Sequence, residues 1–213
     1  MTSSLLADAL DYAVGSVACV APGLLSRPTP CRDWDLAALL RHANDSLAAL
    51  HEGLARGYVS LDRTGPAASQ QPNGDRAAGD QAAGDQAVSL TAIFRDRAAR
   101  LLAAAGTGGH DDIAVADRHV AAVIVTAVGA IEIAVHGWDV AAACGHGRSR
   151  PIPAELASGV LEIIPLVVTG ATRGSQFAAP VSLPPLASPS DRLIALLGRD
   201  PAAPGPARGP SRT

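Results

Sequence analysis

From residue 5 to residue 25 apolar side chains recur at three- and four-residue intervals, the period of a helix with one buried face, until Pro28 and Pro30 interrupt it. Asp33 stands at an N-cap position, and the spacing predicts a second helix from about Trp34 to Leu54. Asp33 and Asp35 fall in its first turn, where the helix dipole favours negative charge, and Leu36, Leu39, Leu40, Ala43, Leu47, Leu50 and Leu54 form its apolar stripe. From Ser60 to Gln86 the chain turns polar, and GDRAAGDQAAGDQ repeats a five-residue unit with no large apolar side chain to bury, so a flexible loop is expected. A third helix is predicted from about Val88 to Ala105, stopped by Gly106, Gly108 and Gly109, and a long fourth one from about Asp117 to Cys144, before Gly145. A further helix near Pro153 to Thr169 contains Pro165, which kinks it or ends it early. Phe177 to Pro189 reads as extended, Asp191 to Leu197 as one or two helical turns, and Asp200 to Thr213 as disordered.

The expected class is therefore all-α. A four-helix bundle over residues 1–150 carries a flexible insert at about 60–87, followed by a helical extension over 151–200 and a disordered tail over 201–213. Composition supports this picture: hydrophobic residues make up 48% of the chain and aromatic ones only 3%, which suits helices packed through small side chains. The net charge of -3, without a basic cluster, argues against nucleic acid as a partner. All 17 basic residues are Arg, so chemistries that need a lysine, such as Schiff-base aldolases, pyridoxal phosphate enzymes and P-loop NTPases, are excluded. Cys19, Cys31 and Cys144 are widely spaced and form no CxxC pair, as expected of reduced thiols in a cytosol. The N-terminal stretch lacks a basic region, and the apolar run Val120–Val135 is short for a membrane span and broken by Glu132. These features predict a cytoplasmic protein without a membrane partner, and leave a homodimer open.

Candidate chemistry concentrates in residues 120 to 145, VAAVIVTAVGAIEIAVHGWDVAAACG, where an apolar helix holds Glu132 and, four residues on, His136. Residues four apart share a helical face, and Val125, Val128 and Val135 lie on it too, so Glu132 is expected to point into the bundle, where a carboxylate needs a partner. A divalent cation held by the carboxylate and imidazole is one such partner; an Arg, or His136 itself, is another. Among the remaining histidines His42 is the best placed third ligand. Yet at about 100° per residue it lies roughly 120° from the centre of the leucine stripe, which also fits a solvated histidine.

The segments TPCRDWDLAALLRHA and IEIAVHGWDVAAACG resemble the two signatures of the mycothiol-dependent maleylpyruvate isomerase family, within the wider DinB-like metal-binding bundles. Thr29, Pro30, Cys31, Trp34 and His42 match the first signature, and Glu132, His136, Trp138 and Asp139 the second. Residues 177 to 201 resemble the ending of an actinobacterial branch of the family, so the likeness covers most of the chain outside the repetitive insert. It implies a DinB-like bundle that binds one divalent metal through His42, Glu132 and His136. Zinc is the favoured ion, and nickel or iron suit the same donors. Trp34, Trp138 and Asp139 are candidates for the surroundings of the site, Asp139 as an orienting partner of His42 or His136 or as one half of an Arg salt bridge. Cys31 reads as a small buried residue at a helix entrance. Arg173, Arg192 and Arg199 are weaker candidates, as anion contacts or as solvated surface residues.

Three protein ligands leave one tetrahedral position open, the pattern of a catalytic zinc. The resemblance implies mycothiol or a similar thiol as co-substrate, with transfer to, or isomerisation of, an electrophilic small molecule at a metal-bound thiolate. Hydrolysis by metal-bound water and a non-enzymatic metal-binding bundle are the alternatives.

Overall fold

The computed structural model describes residues 2–31, 34–60, 76–107, 109–168 and 177–203. Asp33, Arg173 and the expected disordered tail beyond residue 203 lie outside these residues, as does the part of the insert at 61–75. Four helices close into a ring: α1 (Thr2–Val17) packs on α4 (Ala122–Ala143), α4 on α2 (Leu36–Arg56), α2 on α3 (Arg76–Thr107), and α3 again on α1. Among the described residues two further helices, α5 (Ala154–Val167) and α6 (Pro189–Leu196), complete the mostly helical architecture.

The helix boundaries have local causes. The first helix stops at Val17, well short of the expected Leu25; Pro22 instead opens a single 3-10 turn, Pro22–Leu24. Asp35 is the N-cap of α2, its side chain accepting from the Ala38 N–H, so the residue expected inside the first turn is the one that opens the helix. Gly57 and Gly145, with φ of 77° and 85°, take the left-handed conformation just beyond α2 and α4. Within α5, Pro165 stands two residues before the last helical residue, Val167. Ser188 caps α6 by accepting from the Asp191 N–H.

Two expectations are corrected. The loop expected up to Gln86 is helical from Arg76 onward: α3 runs through the Ala-rich repeat, packs its early turns beside the Pro22–Leu24 turn and buries Ala87. Alanine's helix propensity and small size allow this without a large apolar anchor. The start expected for the fourth helix is a hairpin instead, β2 (Asp112–Val115) and β3 (Arg118–Ala121), with Ile113 opposite Val120. A two-residue strand, β1 (Tyr58–Val59), pairs parallel with β2. Fully buried Ile113 packs with Val59 against Gly53 near the end of α2.

α4 is the central element. It is long and apolar enough to cross a membrane by length and composition, yet most of it is buried within this bundle. Gly137 lets α1 come close, since a Cβ there would lie 3.1 Å from both Cα and Cβ of Ala13. The residues beyond the bundle join the same core, with Ile152, Leu156, Val160, Ile164, Leu193, Ile194 and Leu197 packed into one apolar cluster with α1 to α4.

Candidate metal centre

His42 lies in the second turn of α2, and Glu132 and His136 lie one turn apart on α4, directly across the α2–α4 contact. The flank of α2 that helix geometry left undecided is the side that meets α4. One ring nitrogen of His42, Nε2, is 2.8 Å from Glu132 Oε1, and His136 Nε2 is 3.7 Å from the same oxygen. The two imidazoles meet edge to face with centroids 5.1 Å apart. One donor atom from each of the three residues lies within 4.8 Å of the others, so a single cation can touch all three.

The carboxylate is well supported. Ser46, one turn after His42 on α2, donates its hydroxyl to Glu132 Oε1 at 2.9 Å. Burial alone would raise the Glu132 pKa, but the His42 hydrogen bond, the charges of His136 and His42 and the Ser46 hydroxyl outweigh it and hold the acid down at about 2. Glu132 is thus an anion, as a metal ligand must be. About a third of the His42 and Glu132 side chains remains exposed, against 13% for His136, so the site opens outward on the His42 side. Val128, one turn before Glu132, is exposed as well, so this face of α4 borders solvent and does not point wholly into the bundle.

Trp34 packs beside both histidines, and Asp139 bonds His136. The loop before α2 is closed by an isolated bridge between Pro28 and Asp35 and by Thr29, whose hydroxyl donates to the carbonyls of Cys31 and Trp34. That closure lays Trp34 against the site, with ring centroids 4.6 Å from His42 and 6.4 Å from His136. Asp139, three residues after His136 and fully buried, accepts from His136 Nδ1 at 3.0 Å. Its partner is therefore His136, and it also forms the Arg salt bridge that was the competing reading. Trp138 projects from another side of α4. It lines a cavity of about 400 Å³ bounded by Pro28–Pro30, the end of α4 and residues 198–203.

Arg199, expected as an anion contact or a solvated surface residue, is instead largely buried and paired with Asp139. Its Nε and Nη2 donate to the two oxygens of Asp139 at 2.8 and 2.7 Å, and Nη2 also reaches Cys31 Sγ at 3.3 Å. Arg192 is exposed, as a solvated surface residue would be. Cys31, His136 and Asp139 form a second cluster with metal-ligand atoms close together. There, however, the Arg199 guanidinium already supplies the positive charge and occupies both the thiol and the carboxylate. The Cys31 thiol is pushed up to about 12 by burial and by the Asp139 carboxylate, against the pull of Arg199, so it is held protonated. Of the other histidines, His110, His119 and His146 are exposed and His51 is half-buried, all outside the two clusters.

A family model described as the mycothiol maleylpyruvate isomerase N-terminal domain matches residues 6–141. No curated protein and no solved structure is similar enough to the chain to count as a match. The matched stretch includes His42, Glu132, His136 and Asp139, and ends before Arg199.

Proposed function

The chain belongs to the mycothiol maleylpyruvate isomerase N-terminal domain family, and from that premise we propose that His42, Glu132 and His136 hold one divalent ion, zinc first among the candidates, in an enzyme that uses mycothiol or a similar low-molecular-weight thiol. The convergence of two imidazoles and an ionised carboxylate within 4.8 Å, half-open to solvent, carries the reading. The donor set fits: nitrogen and carboxylate oxygen ligands suit zinc, and three of them leave a coordination position for an outside ligand. A zinc ion bound there supplies Lewis acidity that favours the thiolate form of a coordinated thiol.

The chain's own residues account for the rest of the site. Asp139 keeps the proton of His136 on Nδ1, which leaves the Nε2 lone pair turned toward Glu132. Ser46 holds the Glu132 carboxylate on the α2 side, and Trp34 forms an apolar wall beside His42 that limits water on one flank. The reaction class is transfer of the thiol to an electrophilic carbon, or isomerisation by reversible addition of the thiol, in the cytoplasm.

Metal content measured by mass spectrometry, on protein purified without a metal-affinity tag, tests the first step. About one equivalent is expected in the wild type and a loss in His42→Ala and Glu132→Ala. A wild type that binds no zinc even after soaking would overturn the reading. Zinc without thiol-dependent turnover, and without a rise in Tm on adding mycothiol, would leave a metal-binding bundle that is not this enzyme.

A further inference from the structure

The C-terminal segment, which lies outside the residues matched by the family model, sends one charged side chain into the heart of the bundle. Gly198, just beyond α6, has φ of 79° and sits so tightly that a Cβ would come within 2.7 Å of the Ala178 carbonyl oxygen. That turn aims Arg199 inward, where its side chain is only 9% exposed and its ion-pair partner Asp139 is fully buried. We propose that Arg199 is a positioning residue for the metal centre: its two-point grip on Asp139 fixes which nitrogen of His136 carries the proton and presents the other to His42 and Glu132. This rests on the metal reading of that centre.

The geometry distinguishes this role from the two more ordinary ones. An Arg that recruits an anionic substrate needs unspent donors facing the site. Here Nε and one Nη2 hydrogen go to the two Asp139 oxygens, the other Nη2 hydrogen to Cys31 and one Nη1 hydrogen to the Leu197 carbonyl at 3.3 Å, so four of the five donors are spent and a single N–H is left for the cavity that Arg199 lines. A surface salt bridge worth little is exposed on both sides, whereas both partners here are removed from water. Asp139 uses Oδ2 both for Arg199 and for His136 Nδ1, so the guanidinium and the imidazole are coupled through one oxygen. Without Arg199 the carboxylate would be buried with no cation beside it. It would be free to turn, and it would no longer impose one tautomer on His136. The histidine ligands of metals commonly depend on such a partner, and its loss lowers metal affinity by about 10- to 100-fold.

The test uses the full chain. Zinc affinity by competition with a chromophoric chelator is compared among wild type, Asp139→Asn, Arg199→Gln and Arg192→Gln, the last a control on the exposed side of α6. Asp139→Asn and Arg199→Gln are each expected to weaken zinc by about 10- to 100-fold, and the pair together by little more than either alone, since both act through His136. Arg192→Gln should match the wild type. In the metal-free protein, long-range proton–nitrogen NMR of the imidazoles should show His136 protonated on Nδ1 in the wild type and a mixture of tautomers in Arg199→Gln. Unchanged affinity together with an unchanged His136 ring spectrum in Arg199→Gln overturns the proposal. Should that variant fail to fold, Arg199→Lys, which keeps the charge but loses the fork, carries the same two readouts. A wild type that binds no zinc would count against the metal reading alone, and the His136 tautomer in the metal-free protein would then decide the role of Arg199.

Discussion

Glu132 lies under opposing influences, with burial favouring the neutral acid and two imidazoles and a hydroxyl favouring the anion. The anion wins, and the folded value near 2 lies below the ordinary value of 4.5. The stabilisation this carries is complete above the ordinary value and lost as pH falls through the folded one. Metal-free wild type should therefore exceed Glu132→Gln in urea midpoint above about pH 4.5, and the two should converge toward about pH 2. The thiols give a second residue-scale prediction. Hydrogen bonding to Cys144 lowers the pKa of half-buried Cys19 against the effect of its burial, while that of Cys31 is raised. Limited alkylation of the native protein, mapped by mass spectrometry, should label Cys19 ahead of Cys31, and the reverse order would mark Cys31 as activated. At this scale the sequence was informative unevenly. Glu132 and His136 stood out because a charged pair in an apolar helix needs an explanation. His42 was ambiguous because its bearing depends on where α4 lies. Arg199 was read only as an anion contact or a solvated residue, since its partner is 60 positions away and nothing in a short polar turn marks which Arg goes inside.

Helix α4 is packed with unequal tolerance along its length. At Gly129 an added Cβ would meet the ends of the Leu50 side chain at 2.8 Å, and a flexible, half-buried leucine can yield. At Gly137 it would meet the α1 backbone, which cannot yield without moving the helix. Gly129→Ala is expected to be close to neutral, because the gain in helix propensity of about 1 kcal/mol offsets the crowding. Gly137→Val should lower stability by about 1–3 kcal/mol through overpacking, seen as a lower denaturation midpoint. The strongly periodic α2 and the apolar α4 were legible in the sequence for the same reason that they are central: each buries a broad face. The hairpin before α4 was not. Its turn at Ala116–Asp117 lacks the usual Gly or Asn, although Ala116 adopts φ of 54°, and its strands are only four residues long. The early turns of α3 were hidden in a repeat whose small residues satisfy a helix without advertising a buried face.

Over the whole molecule the apolar cluster is continuous from α1 to α6, so the bundle and the helices after it share one core. Calorimetry and far-ultraviolet circular dichroism should report one unfolding transition at one temperature, and a separate early transition of the C-terminal helices would contradict that shared core. Residues 90 and 60 positions apart meet in the His42–Glu132 and Asp139–Arg199 contacts, so the centre exists only when distant parts of the chain are in place. The two tryptophans divide this molecule optically. Trp34 packs beside both histidines of the centre, whereas Trp138, largely buried, faces the cavity on a different side of α4. The emission of Trp34 is therefore open to quenching by the neighbouring imidazoles, while Trp138 faces the residues after α6, so intrinsic fluorescence carries one signal for events at the centre and another for how the end of the chain seats on the bundle.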